Sequence, residues 1–304
     1  MRPLRAPVTG ALAVLGRHYP LCRGHGWLAR NVFPLPGERS GSTEVRLRCG
    51  PRVLVHCDDF IGRIVFYFGD LDPRISWVCK RILRSGDVVV DVGANYGVIT
   101  LLAADLVGER GLVHAFEPQP LVAALLRKSL ERNGFNNAHV HQVALSEADG
   151  ELKLHVPAGH LGGASLDRFE GPGSSINVKV RDGSAALAAL DLPAIRLLKA
   201  DIEGHEAAFL RGSRVFLRRC PPDVILFESN DALYESGESA PFWEREAVRE
   251  LGELEYEMFR VSQRLGALRP KLVRVKPGGD DPGLDFVAMH RSKHAELAGL
   301  LDLA

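Results

Sequence analysis

The sequence predicts an α/β fold, a mostly parallel sheet with helices on both faces, behind a β-rich N-terminal extension. Three observations carry this. From Asp87 onward, short apolar runs alternate with helix-length segments, the rhythm of a parallel sheet buried on both sides. The first of these runs, Val88 to Val92, leads directly into a glycine-bearing turn and a helix. Residues 1–84 lack this rhythm. They divide into a Pro/Gly/Arg-rich arm, 1–43, and a small β/α platform, 44–84.

The elements follow in order. Val45, Leu47 and Cys49 alternate with Glu44, Arg46 and Arg48. Gly50-Pro51 punctuates the chain before Val53-Leu54-Val55, which together predict a hairpin. Residues 64–68, Ile-Val-Phe-Tyr-Phe, read as a further strand, and Pro73 opens a helix to about residue 83. Residues 85–304 form the main domain. Its strands are expected at 88–92, 112–116, 139–145, 195–200 and 224–227, with helices at 96–106, 121–133 and 205–217. Residues 146–194 interrupt it as an inserted hairpin, with arms at 152–156 and 176–180 and a mobile Gly/Ser-rich loop at 159–175. A short helix follows at 184–190, and the last strands fall at 256–261 and 286–290.

Composition excludes several classes. The 304 residues are 46% hydrophobic and 25% charged, which is ordinary globular usage. Lys+Arg and Asp+Glu both number 38, so no basic excess points to nucleic acid. No apolar run approaches the ~18 residues of a membrane span. The five cysteines are odd in number and form no CxxC pair, which argues against a zinc site or a disulfide framework and for reduced thiols. Arg2 and Arg5 precede a short apolar stretch, but Thr9-Gly10 breaks it and Arg17-His18-Tyr19-Pro20 follows. The expectation is a cytoplasmic protein.

The most informative segment is Asp91-Val92-Gly93-Ala94-Asn95-Tyr96-Gly97-Val98-Ile99-Thr100. Gly93 permits a tight turn and Gly97 a close approach. The spacing is not GxGxxG, and no Lys-Ser/Thr follows, so a P-loop is excluded. An acid at Asp91 disfavours a phosphate and suits a cationic or hydroxyl-bearing ligand. Glu117, at the end of the second strand, stands where an acidic residue reaches ribose hydroxyls in dinucleotide folds. At the fourth strand end lie Lys199, Asp201, Glu203, His205 and Glu206. Asp201 beside Lys199 should stay ionised, and His205 alone has an unperturbed pKa near neutrality. Glu203 and Glu206 also suit a helix N-terminus whatever the function. A divalent cation on Asp201, Glu203 and Glu228 fits ligand chemistry, but the spacing does not demand one and no metal is assigned. His139, His141 and His155 read as exposed strand positions, and the Arg211, Arg214 and Arg218 stripe as a solvated helix face.

At these residues the sequence resembles the FkbM-type methyltransferases. Asp91-Val92-Gly93-Ala94-Asn95-Tyr96-Gly97-x-x-Thr100 is similar to their first motif and Phe116-Glu117-Pro118-Gln119-Pro120 to their second. Ala144-Leu145-Ser146 with Gly150 resembles their third-strand segment. Leu198-Lys199-Ala200-Asp201-Ile202-Glu203-Gly204-His205-Glu206 resembles their KxDxEGxE motif, and Ile225-Leu226-Phe227-Glu228 the fifth strand end. The matches cover about 86–230. A Thr-Leu-Asp-like segment usual before the fourth strand is replaced by Val180-Arg181-Asp182-Gly183-Ser184.

The resemblance implies a Rossmann-like class I methyltransferase fold with a seven-stranded sheet. It implies S-adenosylmethionine as methyl donor and O-methylation of a sugar or natural-product hydroxyl. Cofactor contacts then fall to Asp91, Gly93, Ala94, Asn95, Gly97, Thr100, Glu117, Pro118, Ala144 and Leu145, and catalysis to Asp201, His205, Lys199 and Glu203. The partner is a small-molecule or glycan acceptor. The competing readings are an NAD(P)-dependent oxidoreductase, disfavoured by Asp91 and by Asn95 at a pyrophosphate-facing position, and a catalytically silent nucleotide-binding module of the same fold.

Overall fold

A computed structural model describes residues 6–19, 24–33, 41–166, 171–229, 241–262, 270–275, 285–301 and 303. Arg2, Arg5, Pro20, Cys22 and residues 167–170 of the inserted loop lie outside the described residues.

Among its described residues the extension carries the predicted hairpin together with four helices. Helices α1 (Ala6–Arg17) and α2 (His25–Asn31) occupy the expected irregular arm, and β1 (Thr43–Arg46) pairs antiparallel with β2 (Arg52–Val55). The expected strand at 64–68 is instead part of helix α3, Phe60–Phe68. The Asp59 carboxylate accepts from Gly62 N–H at its start, and Gly69, at φ 65°, ends it. Capping of this kind selects helix over strand. Periodicity misled because α3 is buried on two sides. Ile64, Tyr67 and Phe68 pack with Ala13 and Ala29 of α1 and α2, while Val65 faces the hairpin core. An apolar run without alternation does not distinguish the two element types. Helix α4 (Pro73–Ile82) begins at Pro73 as expected, and its Val78, Cys79 and Ile82 pack beneath the main sheet with Val89, Leu197 and Leu226.

The βα rhythm is present as predicted. Strand β3 (Val88–Val92), helix α5 (Val98–Val107), β4 (Leu112–Phe116), α6 (Pro120–Asn133) and β5 (Ala138–His141) come first. The expected third strand, 139–145, is broken in two. Val143 N–H donates to His141 C=O in a tight turn, and β6 (Ala144–Ser146) leaves the main sheet. It pairs with β8 (Gly173–Asp182), which pairs in turn with β7 (Gly150–Pro157). The hairpin arms therefore run further than predicted, to Pro157 and Gly173, and Leu161–Gly163 forms a single 3₁₀ turn in the loop between them. Helix α7 (Gly183–Ala188), β9 (Leu197–Ala200), α8 (Glu206–Arg219) and β10 (Val224–Glu228) follow. Helix α9 (Glu246–Glu253), β11 (Tyr256–Ser262), β12 (Lys271–Arg274), β13 (Asp285–His290) and α10 (His294–Ala298) are the last of the described helices and strands.

The main sheet has the order β12-β11-β13-β10-β9-β3-β4-β5. Strands β10, β9, β3, β4 and β5 are mutually parallel, and β13 inserts antiparallel between β10 and β11. Seven strands match the expected sheet, and β12 is an eighth at the edge. Apolar clusters cover both faces, one centred on Val90, Leu198 and Phe209 and the other on Val89, Leu102 and Leu226. The chain order reverses at β3, between β4 and β9, the point where such sheets open a crevice at their C-terminal ends.

Candidate active site

Three strand ends converge on this crevice: the Gly93 loop after β3, Glu117 after β4, and Asp201 after β9. The loop is set by its glycines. Gly93 has φ 76°, and a Cβ there would lie 2.0 Å from the Asp201 carbonyl oxygen; at Gly97, φ 86°, it would strike Leu126. Gly93 and Ala94 donate N–H to Phe116 C=O at 2.9 and 3.0 Å, which ties the loop to β4. Two of the four described non-glycine residues with positive φ, Asn95 (53°) and Glu203 (56°), line this cleft. Such backbone outliers persist where the surroundings over-determine them, commonly at functional sites.

Asp91 lies under the loop, fully buried. Its Oδ2 accepts from Thr100 Oγ at 2.6 Å, and its Oδ1 lies 3.4 Å from Lys199 Nζ. Lys199 also donates to Gly93 C=O at 3.1 Å and lies 3.5 Å from Asp201 Oδ2. Burial lowers the Lys199 pKa, but Asp201 and Asp91 outweigh it and hold the ammonium above its ordinary value. This row of alternating charge fixes the loop, the strand end and the Asp201 carboxylate relative to one another. Asp201 itself is 39% exposed and opens into the cleft.

Glu117 accepts Asn95 N–H on Oε2 at 2.8 Å and Gln119 N–H on Oε1 at 2.9 Å. Burial pushes its carboxyl up to about 7 against the pull of those donors. Each oxygen retains a second lone pair.

The remaining expectations divide. Ala94, Asn95, Pro118, Ala144, Leu145, Lys199, Asp201, Glu203 and His205 line the cleft; Asp91, Gly97 and Thr100 support it from behind. His205 is the N-cap residue of α8, buried, with Nε2 2.9 Å from Ser146 Oγ. Glu206, rather than Glu203, satisfies the turn: its two carboxylate oxygens accept Ile202 N–H and Gly204 N–H at 2.8 and 3.0 Å. Sequence reasoning missed the walls supplied from outside the motifs, Ile61 of α3 and Leu161, Gly162 and Leu166 of the inserted loop. The loop residues were signalled only by their apolar–glycine pattern, and Ile61, in α3, by nothing local. Carboxylate oxygens of Asp201, Glu203 and Glu228 lie within 4.8 Å of one another, so these three acids do come together. No described helix is long and apolar enough to cross a membrane.

The donor set fits S-adenosylmethionine. Glu117 and Asp201 offer acceptors for hydroxyl and ammonium hydrogens, and Ile99, Phe116 and Leu145 give an apolar wall for a base. The Gly93 and Gly97 positions leave no room for side chains over the loop.

Among relatives, "31-O-demethyl-FK506 methyltransferase FkbM" of Streptomyces tacrolimicus is 33% identical, over 43% of this chain and 60% of that protein. A "Probable cobalt-precorrin-6B C(15)-methyltransferase (decarboxylating)" of Sulfolobus acidocaldarius is 27% identical, over 36% of this chain and 56% of that protein. The chain thus spans less than two thirds of the length of either relative. The crystal structure of methyltransferase FkbM from Methylobacillus flagellatus KT aligns with 68% of this chain and 44% of that one, at 16% identity and a TM-score of 0.40. The model of the Methyltransferase FkbM domain matches residues 91–257, more than half of the chain and every strand end that builds the cleft. On that match, the chain belongs to the FkbM methyltransferase family.

Proposed function

We propose that this protein transfers the methyl group of S-adenosylmethionine to a hydroxyl oxygen of a small-molecule acceptor, a sugar or natural product, in the cytoplasm. The observation that carries the reading is the convergence of Glu117, Asp201 and the Gly93 loop on one cleft at the switch point of the sheet. The name of the Streptomyces relative, a methyltransferase of a 31-O-demethyl compound, supports oxygen as the methylated atom.

The bound donor supplies a methyl group on a sulfonium that is already a good leaving group. The chain holds it and presents an acceptor oxygen in line, and orientation of this kind is worth roughly 7–11 kcal/mol. Glu117 and the N–H groups it fixes hold the nucleoside end. Asp201, held beside Lys199 and open to the cleft, is positioned to take the acceptor proton, with Glu203 beside it. A general base of this kind contributes about 10²–10⁴-fold. His205, with one ring nitrogen on Ser146, positions the start of α8; a direct proton-transfer role for it is the weaker assignment. Residues 85–304 act as the catalytic unit and residues 1–84 as the part that shapes the acceptor side.

The test is calorimetric titration with S-adenosylhomocysteine and with NAD, followed by methyl transfer from labelled S-adenosylmethionine to a panel of hydroxylated acceptors. Binding of NAD in place of S-adenosylhomocysteine would return the oxidoreductase reading. Tight donor binding with no transfer to any acceptor would return the silent module.

A further inference from the structure

A second pocket lies across the Leu161–Gly163 turn from the first and meets it at Glu203. Helices α2 and α3 form one side, with Arg30, Phe60 and Arg63; His160 and Ser165 form the other. The wall is preformed. The Arg30 guanidinium carbon sits 4.8 Å above the Phe60 ring, and the His160 ring lies against the same Phe60 at 5.0 Å. Ser165 Oγ donates to Glu203 C=O at 2.7 Å, so the far end of the pocket is tied to the motif that borders the cleft.

Arg63 donates one NH group to Ala29 C=O at 3.2 Å, while its Nε is buried and, among the described residues, has no hydrogen-bond partner. Among the described residues, neither Arg30 nor Arg63 has a carboxylate within ion-pair distance; every pair runs between other residues. The nearest acid in sequence, Asp59, spends its two oxygens on Gly62 N–H and Leu161 N–H. A buried guanidinium donor without an acceptor is costly, and the group that relieves it best is a planar or tetrahedral oxyanion that takes two N–H bonds at once. Glu203 lines both pockets and so borders the cleft from this side.

We propose that this pocket seats the methyl acceptor by an anionic group, a carboxylate or a phosphate, held by Arg30 and Arg63, so that the acceptor's hydroxyl reaches the cleft beside Glu203. The proposal rests on the methyltransferase reading and names the substrate class for it.

The experiment follows arginine Nε–H resonances of the full chain, with and without S-adenosylhomocysteine. Inorganic phosphate, acetate and sodium chloride are titrated in parallel at matched ionic strength. A saturable shift of the Arg63 Nε–H with phosphate or acetate is expected, and the stronger of the two anions identifies the chemistry. Arg63→Gln and Arg30→Gln should each weaken that binding by about tenfold or more, the loss of one charge-assisted contact, with an unchanged Kd for S-adenosylhomocysteine. Arg30 is exposed, so its variant keeps the test open if Arg63→Gln does not fold. The proposal is overturned if neither anion shifts Arg63 beyond the chloride control, or if both variants bind the anion as the parent does. A chain that binds the anion but not S-adenosylhomocysteine overturns the donor assignment and leaves the pocket standing.

Discussion

Replacing Glu117 by alanine removes two kinds of contact at once, and they are separable. In the free protein the carboxylate accepts the N–H groups of Asn95 and Gln119. A buried donor left unsatisfied costs about 1–3 kcal/mol. Water entering the vacated space keeps the pair near the low end, a loss of about 2 kcal/mol in stability and of roughly 4–8 °C in Tm. In the complex the remaining lone pairs accept two ribose hydroxyls, charge-assisted bonds of roughly 1.5–3 kcal/mol each. Their loss, about 3–6 kcal/mol, raises the Kd for S-adenosylhomocysteine by about 10²–10⁴-fold. Calorimetric titration measures the Kd, and a urea melt of the same sample confirms that the variant is folded. A folded Glu117→Ala protein with the parental Kd would refute the ribose assignment. A variant with parental stability would refute the loop-tying role.

Three further outcomes are expected. Because the Glu117 carboxyl is raised to about 7 by burial, its contribution to stability is full below the ordinary carboxylate range and is lost as pH rises through about 7. Ligand hydroxyls favour the ionised form, so affinity for S-adenosylhomocysteine should rise from about pH 6 to about pH 8, and a flat profile would count against it. Asp201→Asn should lower kcat by about 10²–10⁴-fold with little change in donor Kd, and by more than His205→Ala; a parallel loss of donor binding moves Asp201 to the cofactor site. Glu206→Ala strands the Ile202 and Gly204 N–H groups and should destabilise by about 2 kcal/mol or more, seen as a shifted denaturation midpoint; an unshifted midpoint shows that water satisfies the turn.

The central strands and the motif loops were legible because both signals are local. A buried parallel strand is an apolar run, and the Gly93 turn needs residues without a Cβ at fixed places. The same locality explains the misreadings. Residues 64–68 carry strand-like side chains, and what makes them helical is Asp59 and Gly69 at the two ends, together with apolar neighbours on both sides. The break between β5 and β6 depends on a turn at Gln142-Val143 with no Gly or Pro to mark it. Glu203 and Glu206 could not be told apart by spacing alone; only the path of the turn shows which one reaches the backbone N–H groups. The arginines of the second pocket were invisible for another reason. Arg30 and Arg63 belong to the extension and meet His160 and Ser165 only through the tertiary fold.

Asp59 serves two masters, the first turn of α3 through Gly62 N–H and the inserted loop through Leu161 N–H. The same loop is held from the sheet side, where Gln119 Nε2 donates to Leu161 C=O at 3.2 Å. The partition between the two pockets is therefore a crossbeam seated on two supports. Its shape is inherited from both, and neither hairpin nor extension is a portable cassette. A chimera that imports residues 157–166 from a homologue must bring the host-side carboxylate and helix start with it, or the transplanted segment will lose one footing and both chambers will change shape together.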